Sequence, residues 1–141
     1  MRTEPKLSTH GLARLIEQVG KAAYNLGYTP GLNPAQWAAL RYFNEATIER
    51  RTVTGFAQFQ GTTKGTASQT IAALVRKGFL RRIADKLDRR VHRLALTKEA
   101  HAILKSDPLQ ELSRALDTLE EPERWQLAES MERVLRHLIR A

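Results

Sequence analysis

Residues 62–97, TTKGTASQTIAALVRKGFLRRIADKLDRRVHRLALT, restrict the fold more than any other stretch of the chain. The segment opens with small polar residues, acquires apolar positions at Ile71, Leu74 and Val75, and stops at Gly78. That pattern predicts a one-sided helix from Thr62 or Thr63 to Lys77, ended by a glycine suited to a left-handed C-terminal cap. Two strand-like runs follow at 79–84 and 91–96, joined by the charged loop Asp85, Lys86, Leu87, Asp88, Arg89 and Arg90. His92, Leu94 and Leu96 fall on one face of the second run, and Arg93 on the other. A helix, a stop and a charged hairpin is a restrictive sequence of elements.

The rest of the chain is punctuated in the same way. Ser8 or Thr9 caps a helix whose apolar positions, Leu12, Leu15, Ile16, Val19, Ala22, Ala23 and Leu26, repeat at helical spacing and predict a buried stripe. Residues 27–31, with Pro30, end it, and residues 1–7 read as a short polar arm. Asn33, Pro34 and Gln36 form a cap, a first-turn proline and a capping-box partner. The helix they start carries Trp37, Leu40, Tyr42 and Phe43 and fades by Ala46. Residues 49–53 read as polar and extended, a minimal strand, after which Thr54 caps a short helix over 55–60 ended by Gly61. Thr97 caps a further helix, Asp107 and Pro108 predict a kink or restart, and Glu120, Glu121 and Pro122 a last break. The final helix is predicted to bury Leu127, Met131, Val134, Leu135 and Leu138.

Three helices followed by a hairpin is a winged helix-turn-helix. The predicted fold is therefore mainly α with a small β-wing, one domain over 1–141 with a DNA-binding lobe at 32–97. The helices at 8–28 and 98–141 exceed what such a lobe needs to cover itself, and a two-fold dimer interface is the expected use of their apolar stripes. Charge supports the assignment. Between residues 60 and 97 there are nine cations against two acids, which is +7 of a whole-chain net of +8. A surplus gathered into one helix and one hairpin is the footprint of a nucleic-acid-binding edge.

Four segments, in order, resemble the MarR (multiple antibiotic resistance regulator) family of bacterial transcription factors, over residues 10–140. They are Leu32, Asn33, Pro34, Ala35, Gln36 and Trp37 at the second helix; Phe56 and Ala57; the run from Thr63 to Ser68 with Leu74 and Gly78; and Asp88, Arg89 and Arg90 followed by Leu96 and Thr97. Thr62, in place of a usual apolar residue, and Pro108, within what is commonly one long helix, depart from the pattern. The resemblance implies that Asp88 holds the wing's Arg90 in position. It also implies an effector site between the dimerisation helices and the DNA-binding lobe, and several family members bind aromatic carboxylates or related metabolites.

The function expected is a sequence-specific dimeric regulator of double-stranded DNA, a repressor relieved by a small aromatic or anionic effector. The alternative is an architectural winged-helix protein that binds DNA without regard to sequence. Thr63, Lys64, Thr66, Ser68 and Gln69 are the candidates for the major groove, Lys64 for guanine or phosphate and Gln69 for an adenine edge. Arg89 and Arg90, with Asp88, are candidates for the minor groove. Arg76, Lys77, Arg81, Arg82, Lys86 and Arg93 are expected to meet phosphates or solvent. His10, Arg14, Tyr24, Tyr28, Trp37 and Arg41 are the candidates for an effector pocket.

Other functions find little support. There is no cysteine, and His10, His92, His101 and His137 lack ligand spacing, so neither a metal nor a cofactor is expected. The run from Gly61 to Thr66 fails the order and spacing of a nucleotide loop, and no serine sits in a nucleophile setting, so no catalytic residue is assigned. No apolar run exceeds five residues, and the first six residues lack the apolar core of a signal peptide. A cytoplasmic protein without membrane contact is expected.

Overall fold

The computed structural model describes residues 7–139; of the predicted polar arm, residues 1–6 lie outside them. The elements run α1 (Thr9–Asn25), α2 (Pro34–Glu45), a 3-10 turn (Ile48–Arg50), α3 (Val53–Gln60), α4 (Lys64–Arg76), β1 (Leu80–Ala84), β2 (His92–Leu96), α5 (Lys98–Leu104), α6 (Leu109–Leu116) and α7 (Glu121–Ile139). Where the sequence predicts one compact unit, the chain resolves into two, Met1–Pro108 and Leu109–Ala141. The division falls at the predicted break. A proline at 108 cannot donate the backbone bond that would carry one helix through it.

Helix boundaries in the first unit follow local chemistry. Ser8 Oγ accepts the Gly11 N–H at 2.9 Å. At α2 the capping box closes in both directions, Gln36 N–H to Asn33 Oδ1 at 2.9 Å and Asn33 N–H to Gln36 Oε1 at 3.1 Å. Thr63 Oγ1 caps α4 through the Thr66 N–H at 3.1 Å, and Thr97 Oγ1 caps α5 through the Ala100 N–H at 3.2 Å. After α4, Gly78 takes φ +82°, the left-handed turn that releases the chain into β1.

Two local predictions are corrected. Residues 49–53 form no strand; Ile48–Arg50 is a 3-10 turn, and one ladder-like bond joins the segment to the wing, Leu94 N–H to Arg51 O at 2.7 Å. Polar residues without alternating apolar partners cannot build a half-buried strand. The cap of α3 is Thr52, not Thr54, with Gly55 N–H donating to Thr52 Oγ1 at 3.0 Å. Gly55 lies inside that helix because a Cβ there would come within 2.3 Å of Arg50 O and 2.5 Å of Tyr42 Oη.

β1 and β2 pair antiparallel from Leu80↔Leu96 to Ala84↔His92. Leu80 and Leu94 anchor this wing in a core shared with Leu32, Trp37, Leu40, Phe43, Phe56, Ile71 and Leu74. α5 joins the same core through Ala100, which is fully buried, so residues 98–104 pack with the lobe. Arg41 on α2 reaches Asp107 through two bonds, Nε at 2.6 Å and Nη2 at 2.7 Å, and ties the end of this unit to its middle.

The predicted apolar stripe of α1 is not buried in the single chain: Leu12, Leu15 and Val19 are 41–51% exposed. In the second unit, Leu127, Met131, Val134, Leu135 and Leu138 of α7 are also exposed. Helical spacing identifies a face that favours cover, but it does not specify whether the same chain supplies that cover. Among the described residues, no helix is long and apolar enough to cross a membrane.

Candidate nucleic-acid interface

Packing sorts the residues of α4. Ala67, Ile71 and Leu74 turn into the core, which leaves Lys64, Gly65, Thr66, Ser68 and Gln69 on the exposed side of the helix start. Thr63 is committed as the cap, and its hydroxyl lies 3.0 Å from Thr66 Oγ1. With Thr63 donating, the Thr66 proton is left to point outward. Arg76 is exposed as well, but twelve residues of helix separate it from Lys64, about 18 Å. It therefore belongs to a different part of the surface from the helix start.

The wing carries two aspartates with different tasks. Asp88 Oδ1 accepts both the backbone N–H of Arg90 at 3.0 Å and its Nε at 3.1 Å, and Oδ2 accepts Nη2 at 3.2 Å. The guanidinium is held at one edge, while the Arg90 side chain stays 89% exposed. Lys86 and Arg89 are exposed beside it.

Asp85 organises the turn. Its Oδ1 accepts the N–H groups of Leu87 at 2.8 Å and Asp88 at 3.3 Å. Its Oδ2 accepts Arg93 Nε at 3.0 Å and Nη2 at 2.7 Å. Arg93 Nη1 then donates to the carbonyls of Ile48 at 3.1 Å and Glu49 at 2.9 Å. Arg93 is therefore a strut between the wing and the 3-10 turn, which corrects its reading as a phosphate or solvent contact. Lys77 stays exposed, but its ammonium is engaged, donating to Gly31 O at 2.6 Å and Gln36 Oε1 at 3.1 Å. The carbonyl and amide acceptors that hold these two cations are remote in sequence, so composition alone counted them as surface charge.

Asp85 had no assigned role in the sequence and Arg93 had a different one, yet a signal for their pairing was present. An aspartate followed by N–H groups two and three residues on is a local turn former. A hairpin then brings it to the level of a cation eight residues later.

The carboxyl groups of both aspartates are held below the ordinary aspartate value. For Asp85 the backbone bond from Leu87 is the main cause, followed by Arg93; for Asp88 the Arg90 side chain leads, followed by its backbone N–H. A depressed folded-state pKa contributes stability that is present above the unfolded value of about 3.9 and is lost as pH falls through the folded value. Amide exchange at Leu87 and Arg90 should therefore be insensitive to pH from 7 down to about 5 once intrinsic rates are divided out. Their protection should fall only below about pH 4, before that of the α4 amides. Wing protection lost near neutral pH would contradict this bonding.

The six predicted effector residues do not gather into one site. His10 and Arg14 are exposed on the first turns of α1, whereas Tyr24 lies near its end, fourteen residues and about 21 Å from His10. Tyr24 and Tyr28 pack edge to face, centroids 5.8 Å apart. Trp37 is buried, donating its indole N–H to Thr29 Oγ1 at 2.9 Å, and Arg41 is engaged with Asp107. An open groove of about 400 Å³ beside α3 is lined instead by residues that include Tyr42, Glu45, Arg50 and Phe59. No group of three or more metal-binding side chains occurs among the described residues.

A three-helix head with a short helix leading into an outward-facing one, followed by a braced two-stranded hairpin, defines a winged helix-turn-helix protein. Residues 31–91 match the model of the MarR family. The fold extends well beyond that lobe. A MarR transcriptional regulator from Methanosarcina mazei Go1 superposes with a TM-score of 0.77 at 20% identity, covering 94% of this chain and 99% of the other. The S. aureus MepR–DNA complex gives 0.75 at 19% identity, covering 89% and 96%. A MarR/EmrR family regulator from Acinetobacter sp. ADP1 gives 0.76 at 19%, covering 94% and 96%. At these identities the likeness is one of fold. No curated protein matches the chain.

Proposed function

We propose that this chain is a dimeric, sequence-specific DNA-binding transcriptional regulator of the cytoplasm, acting as a repressor and not as an enzyme. The observation that carries the reading is the exposed polar start of α4 together with a wing whose Lys86, Arg89 and Arg90 face solvent on a braced hairpin. In this proposal Lys64, Thr66, Ser68 and Gln69 enter the major groove, the capping Thr63 sets the helix start against the backbone, Arg76 and Lys86 meet phosphates, and Arg89 with the Asp88-held Arg90 enters the minor groove. The DNA in the MepR neighbour supports the choice of partner.

The homodimer is supported by the apolar faces of α1 and α7, which the single chain leaves exposed. Two α4 helices would then enter successive major grooves about 34 Å apart on a pseudo-palindrome. For the effector, we retain the exposed Tyr24–Tyr28 pair as the aromatic contact. His10 and Arg14 lie too far along the same helix to join it within one chain, so in this reading they come from the second subunit. Such a ligand relieves repression only by binding one dimer geometry better than another.

The test is selection of a binding site from a random duplex pool, followed by competition with unselected duplex. A regulator should prefer its site by about 10³-fold or more, with two chains per duplex. Equal competition by random duplex would instead establish the architectural alternative.

A further inference from the structure

The wing apex presents an apolar side chain that its cations do not account for. Leu87 is 98% exposed, between Lys86 and Asp88 at the hairpin tip. Isolated exposed leucines on a surface are ordinary. This one occupies a fixed position. Its N–H is bonded to Asp85 Oδ1, and the other oxygen of Asp85 is gripped by Arg93, itself anchored on the carbonyls of Ile48 and Glu49. The tip is thus braced from below, with Leu87 turned into solvent and three cations within three residues of it.

We propose that Leu87 is a DNA-contacting residue, an apolar wedge that enters the minor groove with the wing arginines and packs on sugars and base edges. The inference rests on the DNA-binding reading above and adds a contact to it. Charge complementarity selects the occupant. Lys86, Arg89 and Arg90 draw the tip toward a polyanion and oppose its burial against a second, equally basic wing. A minor groove about 6 Å wide accepts a single leucine side chain, and apolar side chains are used there as wedges at flexible base steps. The strut supplies what a wedge requires, a backbone that does not yield when the side chain is pushed between the strands.

The test uses the full chain and an A·T-rich duplex of about 30 base pairs, titrated at several salt concentrations. L87A should bind about tenfold more weakly at every concentration, because apolar burial is lost. Its log–log salt slope should match that of wild type, because no phosphate contact is removed. L87M, which keeps the apolar volume, should bind within about threefold of wild type. Affinity of L87A within about twofold of wild type overturns the wedge, as does a weakened L87A with a flatter salt slope, which assigns the loss to displaced arginines. Wild type that binds no duplex overturns the DNA-binding reading itself, an outcome distinct from either of these.

Discussion

Replacing Lys64, Arg89 and Arg90 together by alanine should abolish tight binding to the selected duplex at physiological salt while leaving the fold intact. Each is exposed, so the protein should unfold at nearly the wild-type denaturant concentration. A cation seated in a groove displaces counterions as one on a phosphate does, at a salt slope of about 0.9 each, so losing three should flatten the log–log slope by about 2.7. Extrapolated from molar salt, where that term vanishes, to 0.15 M, this is a loss of about a hundredfold. The single variants should be unequal. K64A removes one cation, whereas R90A also strips Asp88 of its partner and leaves an uncompensated carboxylate facing phosphates. D88N should fall between them, because Arg90 keeps its charge and loses its orientation. Equal effects of K64A and R90A would show that the Asp88–Arg90 geometry does nothing on DNA.

The contrast between what the sequence revealed and what it concealed follows from the distance over which each interaction acts. Caps at Asn33, Thr63 and Thr97 bond three residues ahead, and Gly78 acts on its own backbone, so each was visible in a window of a few residues. The wing loop was legible for the same reason, and Asp88 reaches only two residues to Arg90. Arg93 bonds carbonyls 44 and 45 residues away, and Arg41 an aspartate 66 residues away. No periodicity carries that information. Charge counts then err in a predictable direction, treating Lys77 and Arg93 as available to DNA when hydrogen bonds within the lobe already engage them.

The exposed stripes of α1 and α7 mark a different limit. Spacing correctly located the apolar faces, since Leu12, Leu15 and Val19 lie on one and Val134, Leu135 and Leu138 on the other. The expected use of both faces was a dimer interface, and the single chain leaves them exposed. Amphipathicity is a property of one helix, whereas burial is a property of an assembly. A second copy of the chain is the proposed cover.

The largest stability effect should come from Phe56→Ala. Phe56 is 1% exposed, on the inner side of α3, with its ring centroid 5.8 Å from that of Phe43 and 5.6 Å from that of Tyr42. It therefore joins the first helix of the helix-turn-helix to α2, and through that core to α4. Truncation should cost about 3–5 kcal/mol, the transfer of the ring plus the cavity it leaves, out of a total that is typically about 5–15. With a urea slope of about 1.5 kcal/mol per molar, the midpoint should drop by about 2–3 M. Phe56→Leu retains most of the volume and should cost on the order of 1.5 kcal/mol. Two tryptophans separate the units during the measurement. Trp37 is buried in the first and reports its loss, whereas Trp125 in the second is 66% exposed and changes little on unfolding. If the Trp37 transition stayed at its wild-type midpoint in the alanine variant, the aromatic cluster would not be what holds α3 in place. The position of α4 would then depend on its packing against α2 and β1.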